Sequence, residues 1–296
     1  MSRSAITFRK IVAATELGAG DSVTLQYAKA LARVHNATLI ILHVIDPVTY
    51  AFPDGLPPAL SKIQTAQEEL HRLEEEVRKE GIQTHSHVES GVICDRILEC
   101  VRDQHADLLL LGTRARSAVG HLAVGTVVRQ LIGRCPCPIL TVPPESAPAI
   151  FALRGGWSSV LAATDFSPSG ITALETAHQF AHCQFTVLHV WHAGSAEMSH
   201  AHLERLRMLA PLNESHTVPV EHIAIGGEAA DIIPEWARSL HVDLLVLGAP
   251  AEPLDDKSLA SSTILQIISR VSCPVLCVPV RKHATREEVE LQVVTV

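Results

Sequence analysis

The sequence lacks the short motifs that mark common catalytic sites. It contains no Walker A lysine, no Gly-x-Ser-x-Gly elbow, no His-Glu-x-x-His pair and no complete Gly-x-Gly-x-x-Gly loop. It also lacks a basic excess, since the net charge is -8, which argues against a nucleic-acid groove. No apolar run approaches a membrane span, and Thr15 and Glu16 interrupt the first apolar stretch. We therefore expect no membrane segment and no secretory signal.

Composition is typical of a well-buried protein with ordinary domains. The chain has 296 residues, 47% of them apolar, which is enough for two domains that each enclose a core. Its seven cysteines are an odd number. Most lie in apolar or helical surroundings, namely Cys94, Cys100, Cys183, Cys273 and Cys277. We expect free thiols in a reducing cytoplasm.

The chain repeats one order of segments. Four segments of the first half return in the second half with similar residues. The matched pairs are 11–16 with 160–165, 42–44 with 188–190, 106–112 with 242–248, and 137–143 with 273–279. Such self-similarity predicts two copies of one domain. Where only one copy keeps a chemically special residue, we expect the copies to have divided their work.

Apolar runs alternate with helical patterns inside each copy. In the first copy, strands are predicted at 11–15, 38–45, 84–88, 107–111 and 138–142, and helices at 22–36, 59–80, 94–104 and 126–133. Unbroken apolar strands are typical of a parallel sheet that is buried on both faces. The alternation predicts an α/β fold of two tandem doubly wound, Rossmann-like domains.

Proline marks the joint between the copies. We divide the chain into a first domain at 1–144, a linker at 145–156, a second domain at 157–281 and a tail at 282–296. The prolines of residues 143–148 predict a stiff linker. In the tail, the apolar alternation of Val289, Leu291 and Val293 predicts an added strand.

The Cys-Pro strands at 137–142 and 273–278 are expected to close the two sheets. An exposed apolar edge invites pairing. We therefore predict that the copies pack as a pseudo-dimer, and whole chains could pair further into a homodimer.

The loop after the strand at 107–111 is the first candidate for a ligand site. Ligands of doubly wound folds bind at the carboxyl ends of strands, where the strand order reverses. Gly112 leaves the strand and Gly125-Thr126 opens the next helix. These residues offer close backbone approach, free N–H groups and a hydroxyl, which suit phosphate. A loop of the same kind without a ligand remains an alternative.

At this loop the chain resembles the universal stress protein family. Its nucleotide-binding forms carry Gly, two residues, Gly, nine residues, then Gly followed by Ser or Thr. This loop has Gly112, Ala115, Gly125 and Thr126 at that spacing, so alanine replaces the second glycine and adds a methyl group near phosphate. The resemblance covers nearly the whole chain as two tandem domains. It implies an adenine nucleotide alpha hydrolase-like fold.

The resemblance also implies that ATP or a related adenine nucleotide binds the first domain. The adenine and ribose pocket would be lined by Ala14, Thr15, Glu16 and Val44 and flanked by Leu111 and Gly112. The phosphate loop would comprise Arg114, Ala115 and Arg116, with Gly125, Thr126 and Val127 holding the phosphates. The family usually has aspartate where this copy has Glu16, so a carboxylate is kept on a longer side chain.

The second copy has lost the features that suit phosphate. Its loop carries Glu252, Asp255 and Asp256 against Lys257, whereas the first loop carries two arginines. The acidic loop of the second copy therefore repels phosphate, whereas the basic loop of the first copy attracts it. In addition, Ser261 stands where the first copy has Gly125, and Pro250 and Pro253 remove N–H donors. We expect the second domain to be regulatory or structural, although Asp165 keeps the carboxylate.

Histidines and cysteines allow two further interpretations. His178 and His182 are four residues apart on a predicted helix, and His192 follows. They are candidates for a zinc site, with surface or structural histidines as the alternative. Cys135-Pro136-Cys137 is a redox or metal pair in one interpretation. The prolines and the following strand favour simple packing.

The leading functional prediction is a cytoplasmic stress-response binding protein with an adenine nucleotide in its first domain. No catalytic set is found, so any ATP hydrolysis is expected to be slow and incidental. The alternative is an interaction module, or a binder of apolar molecules, that acts through unknown protein partners. Ala115 and Glu16 favour that alternative because they depart from the nucleotide-binding pattern.

Overall fold

Strands and helices alternate along both copies, which confirms the predicted α/β fold. The computed structural model describes residues 7–17, 21–46, 60–113, 124–180, 184–191, 198–210, 218–250 and 262–280. The first copy comprises β1 (Lys10–Ala14), α1 (Asp21–His35), β2 (Thr38–Ile45), α2 (Leu60–Lys79), β3 (Thr84–Ser90), α3 (Ile93–Asp103), β4 (Leu108–Gly112), α4 (Thr126–Leu131) and β5 (Ile139–Val142). Most bounds lie within one or two residues of those predicted.

The second copy repeats this order after one intervening helix, α5 (Pro148–Arg154). Its elements are β6 (Ser159–Ala163), α6 (Pro168–Ala177), β7 (Gln184–Trp191), α7 (Met198–Leu209), β8 (Val220–Gly226), α8 (Ala229–Ser239), β9 (Leu244–Gly248), α9 (Thr263–Arg270) and β10 (Val275–Val278). The tail predicted to add a strand lies outside the described residues.

The ten strands of the described residues form one sheet, in the order β3-β2-β1-β4-β5-β10-β9-β6-β7-β8. The strands of each copy run parallel, and the copies meet where β5 pairs antiparallel with β10. Leu140 lies opposite Leu276 in that register, and both strands are buried along their whole length. The pairing confirms the predicted pseudo-dimer, because each Cys-Pro strand covers the apolar edge of the other.

Helices cover both faces of the sheet. Successive side chains of a strand point to opposite faces, and β4 illustrates the result. Leu108 and Leu110 face a core that contains Leu31 of α1, whereas Leu109 and Leu111 face a second core that contains Leu98 of α3. The unbroken apolar runs seen in the sequence are therefore required by burial on both sides.

The segment predicted as a stiff linker contains α5, a helix that the sequence analysis missed. Pro148 occupies the first turn, and Gly155 ends the helix with a positive φ of 68°. Phe151 is buried on α5, with its ring centroid 5.9 Å from that of Tyr27 and 4.7 Å from that of Trp157. The linker therefore packs into the core between the copies instead of only spacing them.

Truncating this helix at its buried ring is expected to weaken the junction. Phe151→Ala should lower the free energy of unfolding by about 3–5 kcal/mol, because it removes a buried ring and leaves a cavity. Leu153→Ala is the matched control, since Leu153 lies on the same helix and is 88% exposed. It should change stability by less than about 0.5 kcal/mol. Urea unfolding of both variants measures the difference, and equal effects would contradict a packed linker.

The described cysteines are all unbridged, as predicted. Cys94, Cys135, Cys137, Cys273 and Cys277 are buried, and Cys100 is half-buried. Cys183 lies outside the described residues. In the same part of the chain, none of the helices is long and apolar enough to span a membrane.

Candidate functional site

The strand order reverses at equivalent places in the two copies. In the first copy β1 lies between β2 and β4, and in the second copy β6 lies between β7 and β9. Where the strand order reverses, the chain segments that follow two neighbouring strands lead away in opposite directions. A crevice therefore opens between them at the carboxyl ends of the strands. Ala14 ends β1 and Gly112 ends β4 at the first crevice. Ala163 and Gly248 end the matching strands at the second.

A hydrogen-bonded turn follows β1. The backbone N–H of Thr15 donates to the carbonyl of Leu42 over 2.9 Å, and the N–H of Leu17 donates to Thr15 Oγ1 over 3.0 Å. Leu17 adopts a positive φ of 54°. Nδ1 of His43 lies 2.8 Å from the carbonyl oxygen of Thr15, so this nitrogen carries the proton and donates. Glu16 is exposed on the turn.

The second copy builds the same turn after β6. Phe166 N–H donates to Thr164 Oγ1 over 3.0 Å, and Phe166 has a positive φ of 64°. Nδ1 of His189 donates to the carbonyl of Thr164 over 2.8 Å. The threonine and the strand-ending histidine therefore shape the turn in both copies. This role explains why both residues recur, and the sequence analysis had assigned Thr15 only to the pocket.

The two ends of the candidate phosphate loop are tied together. Thr113 is buried, its N–H donates to Val142 over 3.1 Å, and its carbonyl accepts the N–H of Gly125 over 2.9 Å. Gly125 is the N-cap of α4 and offers no side chain to the helix start. Thr126 is exposed and Val127 is half-buried. The structure therefore places Gly125 beside Thr113, the residue that follows Gly112.

Other candidate residues are distributed around the same crevice. Ala14 and Val44 are half-buried at the ends of β1 and β2, and Leu111 is buried in β4. Arg114, Ala115 and Arg116 lie outside the described residues. The second-copy residues Glu252, Asp255, Asp256, Lys257 and Ser261 also lie outside them.

The two crevices differ at their strand-ending glycines. A Cβ placed on Gly112 would have Thr24 Oγ1, 3.4 Å away, as its one close neighbour among the described residues. A Cβ placed on Gly248 would lie 2.6 Å from both the backbone nitrogen of Gly170 and the carbonyl carbon of Ser169. The start of α6 therefore lies against Gly248 in the second copy, whereas residues 18–20, which match residues 167–169, lie outside the described residues of the first copy.

Aromatic side chains also pack together beyond the carboxyl ends of β6 and β7 in the second copy. The His202 ring stacks on Phe166 at 6.0 Å and on Trp191 at 5.3 Å, and Arg205 Cζ lies 4.2 Å from the Phe166 ring centroid. The His189 ring lies 4.2 Å from Phe166, and its burial lowers the pKa of His189 because desolvation disfavours the charged form. These five residues form what we term the aromatic cluster.

The sequence analysis missed the aromatic cluster. A signal was present, because Phe166 and Trp191 stand where the first copy has Leu17 and Ile45. The cluster adds a second physical difference between the copies. Bulky rings occupy the outer strand ends in the second copy, whereas aliphatic side chains stand at the matching positions of the first.

The histidine candidates for zinc gain no support from the described residues. His178 follows the last turn of α6, and its ring packs edge-on against Phe185 at 5.6 Å. His182 and His192 lie outside the described residues. Within the ranges that the structure covers, no group of three or more His, Cys, Asp or Glu side chains is placed to hold a metal.

Known proteins share this sequence pattern and fold. A universal stress protein of Thermus aquaticus is 30% identical over 120 residues, which are 39% of this chain and 84% of that protein. One from Methanocaldococcus jannaschii is 26% identical over 142 residues, covering 46% of this chain and 82% of that protein. The crystal structure of a universal stress protein from Archaeoglobus fulgidus aligns with a TM-score of 0.71 over 92% of this chain and 98% of that one, at 16% identity. Residues 7–143 and 156–279 each match the universal stress protein family, and the chain therefore belongs to that family with two of its domains in tandem.

Proposed function

We propose that this tandem universal stress protein binds one adenine nucleotide, ATP or a close relative, in the crevice of its first copy. The observation that carries the proposal is that a strand end and a helix start meet at the switch point of the first copy, where the carbonyl of Thr113 accepts the N–H of Gly125. Ligands of doubly wound folds bind at this place, at the carboxyl ends of the strands. In the second copy, backbone of α6 lies within 2.6 Å of a Cβ placed on Gly248.

The first crevice offers chemistry for each part of a nucleotide. Ala14 and Val44 present apolar side chains to an adenine ring, and exposed Glu16 offers a carboxylate that accepts hydrogen bonds from the base or ribose. Both Thr15 Oγ1 and the Thr15 carbonyl are engaged in the turn. Thr15 therefore contributes the shape of the pocket, and we assign the polar contact to Glu16.

We assign phosphate binding to the loop between Gly112 and Val127. Arg114 and Arg116 supply positive charge, and Gly125 allows the backbone to approach the phosphates without a side chain in the way. Ala115 adds one methyl group to this loop. Because the sequence contains no catalytic motif, we propose binding without turnover, with any ATP hydrolysis slow and incidental.

Identification of the ligand carried by the protein tests this function. Freshly purified chain is denatured, and the released small molecules are analysed by mass spectrometry and quantified against protein. An adenine nucleotide at up to one equivalent per chain is the expected result. An apolar molecule in its place would instead support the alternative, a binder of apolar compounds that acts through protein partners.

We further propose that the protein works in the cytoplasm and that a protein partner binds it in its nucleotide-bound state. Pairing of β5 with β10 already covers the edges that join the two copies. A homodimer of whole chains would therefore need another surface. Light scattering at micromolar concentration tests whether this homodimer forms, and a measured mass of one chain would exclude it.

A further inference from the structure

Two cysteine sulfur atoms face each other just before β5. The Sγ atoms of Cys135 and Cys137 are 3.6 Å apart and in hydrogen-bond contact. Both residues are buried, with exposed fractions of 6% and 7%. The chain bends at residues 136 and 137, between the end of α4 and the start of β5, and this bend holds the two thiols together.

The backbone on either side holds this arrangement. The N–H of Cys135 donates to the carbonyl of Leu131 at the end of α4 over 3.0 Å. On the other side, the carbonyl of Pro138 accepts the N–H of Leu109 over 3.0 Å. Pro136 and Pro138 have fixed φ angles. A disulfide has sulfur atoms about 2.05 Å apart, so closing the pair requires the two sulfur atoms to approach each other by about 1.5 Å.

The charge environment favours a thiolate at one of the two sulfurs. The hydrogen bond from Cys137 holds the pKa of Cys135 below its usual range, and the positive charge of Arg102 acts in the same direction, although burial opposes both. The same hydrogen bond and burial raise the pKa of Cys137. The pair therefore loses its first proton easily and keeps the second, as coupled groups do.

We propose that Cys135 and Cys137 are a redox-active pair that hydroperoxides convert into a reversible disulfide. The Cys135 thiolate attacks one peroxide oxygen, the O–O bond breaks, and the products are a sulfenic acid on Cys135 and hydroxide, or an alkoxide for an organic hydroperoxide. The Cys137 sulfur then attacks Cys135 Sγ. The S–S bond forms, the S–O bond breaks, and the thiol proton leaves with the hydroxide as water. Two thiols are oxidised by two electrons, and the peroxide is reduced to water or to water and an alcohol.

The other described thiols provide a contrast. Burial raises the pKa of Cys100 to about 11 and that of both Cys273 and Cys277 to about 12, which suppresses thiolate formation. Cys94 is engaged with Gln130 Oε1 at 3.0 Å. In the second copy, Val271 stands where the first has Cys135, so Cys273 is an internal control with no facing thiol at that position.

Peptide mapping tests the pair directly and independently of nucleotide binding. The reduced full-length protein is treated with hydrogen peroxide, then alkylated and digested with trypsin. Cleavage after Arg134 and Arg154 gives the peptide 135–154, whose only cysteines are Cys135 and Cys137. We expect this peptide to lack both alkyl groups, to have lost two hydrogen atoms, and to regain both groups after dithiothreitol. The peptide that contains Cys273 should stay alkylated.

The proposal is overturned if peptide 135–154 is fully alkylated after peroxide, or if it carries separate sulfinic acids instead of a bond. Variants then test the order of steps. In Cys137→Ser the sulfenic acid on Cys135 has no resolving thiol, so dimedone should label Cys135. In Cys135→Ser the labelling of Cys137 should fall at least about tenfold, because burial still disfavours its thiolate when the Cys135 thiol is gone. Labelling of Cys137 at the wild-type rate of Cys135 would contradict the assigned roles. Thermal melting checks that both variants are folded.

Discussion

Gly125→Asp is expected to abolish nucleotide binding while leaving the protein folded. Gly125 has φ -59° and ψ 149° and is the N-cap of α4. Aspartate is among the preferred residues at that position, so the change suits the helix. It also places a negative charge beside the phosphates. At about 4 Å, each pair of unit charges repels by about 1 kcal/mol in water and about 4 kcal/mol at an effective dielectric constant of 20.

Two or more phosphate charges lie within reach of that carboxylate in the proposed pose. We therefore expect the affinity for ATP to fall at least about 100-fold, or about 2.8 kcal/mol. Gly125→Asn is the matched control, since asparagine has nearly the same shape without the charge, and it should lose much less. Calorimetric titration measures both affinities, with thermal melting as the check on folding. An unchanged affinity in Gly125→Asp would remove phosphate from this loop.

Gly248→Ala is expected to lower the stability of the protein, whereas Gly112→Ala is expected to leave it nearly unchanged. At Gly248 the new methyl group would lie 2.6 Å from backbone atoms of Ser169 and Gly170, so the start of α6 must move. Such overpacking destabilises by about 1–3 kcal/mol, occasionally more. Among the described residues, the methyl group at Gly112 meets only Thr24 Oγ1, at 3.4 Å, which is an ordinary contact. That variant should stay within about 0.5 kcal/mol of wild type.

Tryptophan fluorescence makes this comparison selective. All three tryptophans, Trp157, Trp191 and Trp236, follow the first copy in the chain. Urea unfolding followed by fluorescence therefore reports on the second copy and on its junction with the first. Gly248→Ala should shift the transition to lower urea, and Gly112→Ala should not. Equal shifts would show that both glycines are packed alike, and the proposed division of work would lose its structural basis.

The fold could be predicted from the sequence because its causes are local and repeated. A sheet covered on both faces needs unbroken apolar strands, and β2 and β4 are such runs. The match of the Cys-Pro strands predicted the β5 to β10 pairing, since two apolar edges in one chain are best covered by each other. The ligand site after Gly112 stays a prediction, based on the rule that ligands of this fold bind at the carboxyl ends of the strands.

Features that depend on distant partners could not be predicted. Helix α5 follows a run of prolines, and Phe151 is buried there because Tyr27 and Trp157 supply its neighbours. The filling of the second crevice depends on where α6 starts relative to Gly248, a distance that neither segment encodes alone. Thr15 is a pocket residue by resemblance, yet its hydroxyl is used by the turn, which only the geometry reveals.

A calorimetric titration of ligand-free wild-type protein with ATP tests the central claim most directly. The predicted result is one binding site per chain, because backbone of α6 lies against Gly248 in the second crevice and the loop of the second copy carries acidic residues where the first carries Arg114 and Arg116. Two equivalent sites would contradict the division of work between the copies. No binding at millimolar ATP would contradict the nucleotide function altogether.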